Sequence, residues 1–174
     1  NIFTASQREL TAIPGIGKTL AARIFHSCDS EATKTIALCQ ENDIEIITSD
    51  SKHYSSLLSE TFTPPIILFR QGIRSPQTRN IAVVGTRRCS PYGRRTAIQL
   101  SQQLSKHGYT IVSGLAYGID EAAHTAALNA GGETIAVLGS GLLRIYPQQH
   151  QALAHRVSQQ GSLISEFPPH AGPR

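Results

Sequence analysis

TIVSGLAYGIDEAAHTAALNAGGETIAVLG, residues 110–139, decides the fold. A β-branched apolar run ends at Ser113-Gly114, and a glycine-containing turn leads to an acid at position 120. An alanine-rich helical window follows, Gly131 stops it, and a second apolar run begins at Thr134. Strand, turn, helix and strand in that order make the unit of a parallel sheet. Runs of the same kind stand at 81–85 (IAVVG) and 162–167 (SLISEF), and further helical windows span 94–107 and 147–160, closed by Gly108 and Gly161. The resulting β-α-β-α-β-α-β series predicts an α/β protein with a doubly wound, mostly parallel Rossmann-like sheet, its strands covered on both faces. Ligands of such sheets bind beyond the carboxyl ends of the strands, where loops 85–93, 113–119, 139–141 and 166–169 would gather.

Upstream, Ile44, Ile46 and Ile47 predict a short strand, Tyr54, Leu57 and Leu58 a helical turn, and IILF at 66–69 another strand after Pro64-Pro65. Its apolar content makes this stretch an extension of the sheet rather than a linker. Before it, residues 4–12 and 18–27 predict two short helices joined by Pro14-Gly15-Ile16-Gly17 and burying Leu10, Ile13, Leu20 and Ile24. The expected division is therefore a helix-hairpin-helix-like (SAM-like) module at 1–40 and a Rossmann-like domain at 41–174. In the hairpin, Gly15, Gly17 and Lys18 could present backbone N–H groups and a cation to a phosphate, or the hairpin could simply pack on its neighbour. The sequence leaves both readings open.

With 174 residues, 40% hydrophobic and 16% charged, the chain reads as soluble and globular. No apolar run approaches the ~20 residues of a membrane helix, and the N-terminus lacks the layout of a secretory signal, so a cytoplasmic location and no membrane partner are expected. Cys28, Cys39 and Cys89 are odd in number and widely spaced, which argues for reduced, structural thiols and against a thiolate metal site. A net charge of +4 and a pI near 9.2 allow an anionic partner. Arg87, Arg88, Arg94 and Arg95 crowd one loop-to-helix stretch.

A dinucleotide does not fit the crevice. An arginine stands where the fingerprint needs its second glycine, and the second strand ends at Ser113-Gly114 without the acid that would hold a ribose hydroxyl. Phosphate of another kind suits it better: guanidinium forks grip phosphate bidentately, and glycine turns at 114, 118, 139 and 141 offer N–H donors. Asp120 and His124, four apart, are read as a helix N-cap and a residue lining or packing beside the crevice, not as a catalytic pair, because sequence places no nucleophile or third ligand near them. The other histidines show no ligand spacing, so no metal and no catalytic residue is assigned. Tyr92, Tyr117 and Tyr146 fall on the ligand side, where they either stack bases or pack at strand ends.

Taken in order, GTRRCSPYG (85–93), IVSGLAYGIDEAAHTAAL (111–128), IAVLGSGLLRIYP (135–147) and LISEFPP (163–169) resemble the DNA-processing protein A (Smf) family. The resemblance implies an extended Rossmann-like domain that binds single-stranded DNA, protects incoming strands and loads a RecA-type recombinase in natural transformation or DNA processing, as a homodimer without cofactor or catalytic cycle. Carried over by motif, the DNA-phosphate residues are Gly85, Thr86, Arg87 and Arg88, then Ser113, Gly114, Ala116, Gly118 and Asp120, then Gly139, Ser140 and Gly141. Two departures stand out. Gln148, Gln149, His150 and Gln151 occupy positions where many members carry a base, with His150 as a substitute when protonated. The family domain also continues past SEFPP, so a fragment lacking its C-terminal part is expected. The competing reading is a nucleotide-binding enzyme of the phosphoribohydrolase-like group, whose PGGxGTxxE motif the chain lacks.

Overall fold

The computed structural model describes residues 5–73 and 79–173, the side chains of 26–30 excepted. Two compact units divide after Glu41. The first holds α1 (Gln7–Thr11) and α2 (Lys18–Glu41). A capping box opens α1, with Ser6 Oγ accepting from the Glu9 amide at 3.3 Å and the Glu9 carboxylate accepting from the Ser6 amide at 2.7 Å. Two expectations change here. α2 runs to Glu41 instead of stopping near residue 27, because neither Gly nor Pro interrupts it before Asn42 and the left-handed Asp43 (φ 51°). Burial also shifts by a residue: Leu10 and Ala21 are buried, whereas Ile13 and Leu20 are nearly half exposed and Ile24 is intermediate.

In the second unit, β1 (Ile44–Thr48) and β2 (Ile67–Gly72) form an antiparallel pair across α3 (Ser56–Ser59). Glu45 stands opposite Arg70 in the register and pairs with its guanidinium, while His53 Nδ1 lies 3.1 Å from the same carboxylate. Four parallel strands follow, β3 (Asn80–Ala82), β4 (Thr110–Ser113), β5 (Thr134–Leu138) and β6 (Ser162–Ser165), linked by α4 (Pro91–Lys106), α5 (Ile119–Asn129) and α6 (Gln151–Gln160). The sheet order is β1-β2-β6-β5-β4-β3, with β2 antiparallel to β6. This is the α/β class anticipated, a mixed sheet whose parallel part carries the crossovers. Gly108 and Gly131 follow α4 and α5 in left-handed conformation. Among the described residues no helix is long and apolar enough to cross a membrane.

Because β3 to β6 are neighbours in chain order, each right-handed crossover advances the same way and places its helix on one face. Ile111, Ala136, Leu138 and Leu163 are buried there, and the small Ala123 and Ala127 of α5 close on Ile111, flanked by Val83 and Leu104. The alternate residues Val112, Ile135, Val137 and Ile164 look the other way. With Leu57 and Leu58 of α3 they line an open apolar trough of about 500 Å³. Coverage of both strand faces, expected from the runs, is thus complete on the helix side and partial on the other.

Buried under α5, His124 keeps a chain of polar contacts inside this core. The Thr134 hydroxyl donates to the Ile111 carbonyl at 2.7 Å, so it can only accept from His124 Nδ1, also at 2.7 Å. Burial, with a contribution from the charge of His150, pushes the His124 pKa down to about 4. The folded state therefore favours the neutral ring, and stability present above the unfolded value near 6.5 is lost as pH falls toward 4. Between pH 7 and pH 5 this residue should remove about 2 kcal/mol. Urea unfolding at the two pH values should show that loss in the wild-type chain and not in His124→Asn; equal slopes would refute it.

Candidate functional site

The loop after β3 and the loop before α5 are zipped together. Gly118, at φ 82°, lies with its Cα against the carbonyl oxygens of Thr86 and Arg87, where any side chain would collide. The Ile119 amide donates to the Thr86 carbonyl at 3.3 Å, Gly85 packs on the Ile119 side chain, and the Arg88 amide donates to Thr86 Oγ1 at 3.2 Å. This seam lays the arginine loop beside the end of β4.

What it brings together is a cleft of about 120 Å³ lined by Arg87, Gly114, Ala116, Tyr117, Gly139 and Ser140, with Tyr146, Pro147 and Pro173 along its rim. It adjoins a wider trough of about 890 Å³, where Tyr117 and Tyr146 meet Arg144, Gln148, Gln149 and His170. Among the described residues no Asp or Glu lines either one. Arg87 and Arg88 are exposed, and among the described residues neither has a carboxylate within 4 Å. Arg94 reaches Glu121 at 3.5 Å. α4 begins earlier than the sequence suggested, because Ser90 caps it by accepting from the Gly93 amide at 3.1 Å and Pro91 takes the first helical position. Arg94 and Arg95 therefore lie in its first turns.

Other expected phosphate residues make contacts within the chain. Ser113 is buried, its hydroxyl donating to the Val83 carbonyl at 2.6 Å. Gly118 is the N-cap of α5, the role expected of Asp120. Asp120 is buried in the first turn, and its Oδ2 accepts from the amides of Gly114 (3.1 Å) and Ala116 (3.4 Å). It closes the loop from behind, with its carboxylate spent on backbone. Ser140 is buried, its carbonyl accepting from Ser165 Oγ at 2.7 Å. Gly141 donates its amide to the Ala171 carbonyl at 2.9 Å, and the carbonyls of Pro168 and Pro169 press on its Cα where a Cβ would stand. That amide is engaged within the chain. Leu143 adds a bond to the Pro169 carbonyl at 2.8 Å, stitching the third loop to the C-terminal tail.

Of the three tyrosines, Tyr117 and Tyr146 line the cleft, while Tyr92, 73% exposed, stands outside it on α4. His124 sits in the core rather than on the crevice wall. His150 is buried too, its Nδ1 2.8 Å from the Leu115 carbonyl, so it is not a solvent-side substitute for a phosphate-binding base. Sequence reasoning missed Arg144 and the tail residues His170 and Pro173; Arg144 stands four residues beyond Ser140 in the third loop, which was the available signal. Gly15, Gly17 and Lys18 are exposed at the start of α2. No three His, Cys, Asp or Glu side chains among the described residues gather as a metal site. Cys39 and Cys89 are free thiols; Cys28 lies outside the described side chains.

If Asp120 is a clasp, Asp120→Ala should cost about 2 kcal/mol in urea unfolding, since two inward N–H groups lose their acceptor. A stability change near zero would return Asp120 to the surface chemistry of the cleft.

Residues 45–174 match the family described as DNA recombination-mediator protein A. Protein Smf of Escherichia coli is 41% identical over 172 residues, covering 95% of this chain and 46% of that protein. DNA processing protein DprA of Bacillus subtilis is 36% identical over 143 residues, covering 81% and 48%. The chain thus spans about half the length of these relatives. Among solved structures, DNA processing protein A of Streptococcus pneumoniae superposes with a TM-score of 0.78 at 30% identity, over 97% of this chain and 58% of that one. The Helicobacter pylori protein, whose structure addresses its single-stranded DNA binding mode, gives 0.62 at 28% over 75% and 59%. The chain belongs to the DNA recombination-mediator protein A (DprA/Smf) family.

Proposed function

We propose that this chain binds single-stranded DNA along the cleft and trough at the carboxyl ends of β4 and β5. The observation that carries the reading is the placement of Arg87, an exposed guanidinium without a carboxylate partner among the described residues, over a cleft floored by Gly114, Ala116 and Gly139 and lined, among the described residues, by no Asp or Glu. A guanidinium beside a wall of small residues admits a phosphate closely and grips it bidentately. Tyr117 and Tyr146 flank that point and offer faces to successive bases, worth about 1–3 kcal/mol each. Arg88 and Arg144 extend the cationic path, and within the helical unit, taken by itself, Lys18 with Gly15 and Gly17 offers a phosphate contact of its own. Gly85, Thr86, Gly118, Asp120, Ser140 and Gly141 shape the loops that present these groups.

In the full-length protein we assign this binding to protection of incoming strands and to loading of a RecA-type recombinase, by a homodimer, in DNA processing or natural transformation. The family membership and the single-strand binding named for the Helicobacter pylori relative support this role. Nucleotide hydrolysis fits less well, because Asp120, in the first turn after the second loop, is occupied by two backbone amides and no Asp or Glu among the described residues lines the cleft.

Fluorescence anisotropy with a labelled single strand tests the proposal. Wild-type binding should weaken with salt at a log–log slope of about 0.7 per phosphate neutralised, with little competition from duplex. Arg87→Ala/Arg88→Ala should weaken binding more than about tenfold and flatten the slope. Unchanged affinity in that variant, or binding indifferent to salt, would sink it.

A further inference from the structure

The second loop is held from behind by a side chain to which the binding role gives no task. Leu115 is fully buried at φ 58°, a conformation leucine keeps only where its surroundings impose it. The amides on either side, Gly114 and Ala116, donate to Asp120. Its own carbonyl lies 2.8 Å from His150 Nδ1, and since a carbonyl only accepts, Nδ1 carries the proton and donates. The edge of the next aromatic, Tyr117, meets the His150 ring at 4.8 Å and 69°, and the Tyr117 hydroxyl donates to Gln149 Oε1 at 2.6 Å. His150 Nε2 faces Glu121 at 3.9 Å. Gly114, Ala116 and Tyr117 present their other side to the cleft.

We propose that His150 is a positioning residue of the single-strand groove: its Nδ1–H fixes the Leu115 peptide, and through it the wall of Ala116 and Tyr117 against which the strand lies. The inference rests on the binding role proposed above. His150 itself touches no nucleic acid, being buried behind the loop.

The geometry dictates what can replace it. Asparagine carries an amide nitrogen at the same remove from Cβ as Nδ1 and can donate to the Leu115 carbonyl; glutamine places its nitrogen one atom further out, where Nε2 stands; phenylalanine keeps the ring-edge contact with Tyr117 and has no donor. The 174-residue chain and its His150→Asn, His150→Gln and His150→Phe variants should be titrated against a labelled oligothymidine beside Arg87→Ala/Arg88→Ala. Amide hydrogen exchange over residues 114–118 and thermal melts accompany the titrations. The Phe and Gln variants should bind about five- to tenfold more weakly, the scale of one lost buried hydrogen bond, and Asn within about twofold of wild type. Exchange at Ala116 and Tyr117 should quicken in Phe and Gln and return to normal in Asn.

A Phe variant that binds and exchanges like wild type overturns the inference. Should Phe fail to fold, the Asn and Gln pair decides it: equal affinity and equal exchange refute the role, and tight Asn with weak Gln supports it. A wild-type chain that ignores the oligonucleotide defeats the binding role and the groove-positioning role with it, while the exchange pattern still reports whether Nδ1–H holds the loop. Failure of the two readings is thus distinguishable.

Discussion

Two backbones touch at Gly118, and the ligand side of the molecule depends on that contact. Because the glycine has no side chain against the Thr86 and Arg87 carbonyls, the loop that follows β3 can close on the loop that follows β4 until the Ile119 amide reaches the Thr86 carbonyl. The arginines are thereby committed to one place despite an electrostatic cost. Arg94 and Arg95 sit near the positive end of α4, where like charge is disfavoured by about 0.3–1 kcal/mol apiece. Glu121 partly relieves Arg94 across the seam, whereas Arg87 and Arg88 have no carboxylate within 4 Å among the described residues.

The same seam separates two classes of residue within one motif. Asp120 and Ser113 turn inward and spend their polar atoms on backbone, while Gly139, Ala116 and Tyr117 face the cleft. A left-handed Leu115, costing about 1–2 kcal/mol in backbone strain, lies between the classes. The Asp120 carboxylate is turned from the cleft toward the backbone in this way, although it stands only a few residues along the chain from Ala116 and Tyr117.

The parallel half of the fold was legible because its signals are local. β-branched runs, an alanine-rich helix and glycine stops fall within single elements, and β4, β5 and β6 formed where their runs stood, while β3 (Asn80–Ala82) takes only the first two residues of its run. The loops were legible as a group, since strand polarity alone sends them to one end. Division of labour inside them was not. Whether Asp120 caps a helix or clasps a loop depends on where α5 begins, and that is set by Gly118 meeting residues some thirty positions earlier. The contacts of His150 and Gly141 were hidden for the same reason, since their partners Leu115 and Ala171 are remote in sequence. At the other end, Ala21 and not Leu20 is the buried residue, a difference of about 100° around the helix axis.

The tail stitched to the third loop has a consequence for biosynthesis. Since Gly141 and Leu143 are held by the carbonyls of Ala171 and Pro169, one side of the cleft is made from residues that leave the ribosome about thirty positions after the loop they brace. Arg87 and the β4 turn are translated well before that side exists. A nascent chain therefore carries the cationic loop early but has no finished groove until β6 and the proline-rich end have been threaded into place.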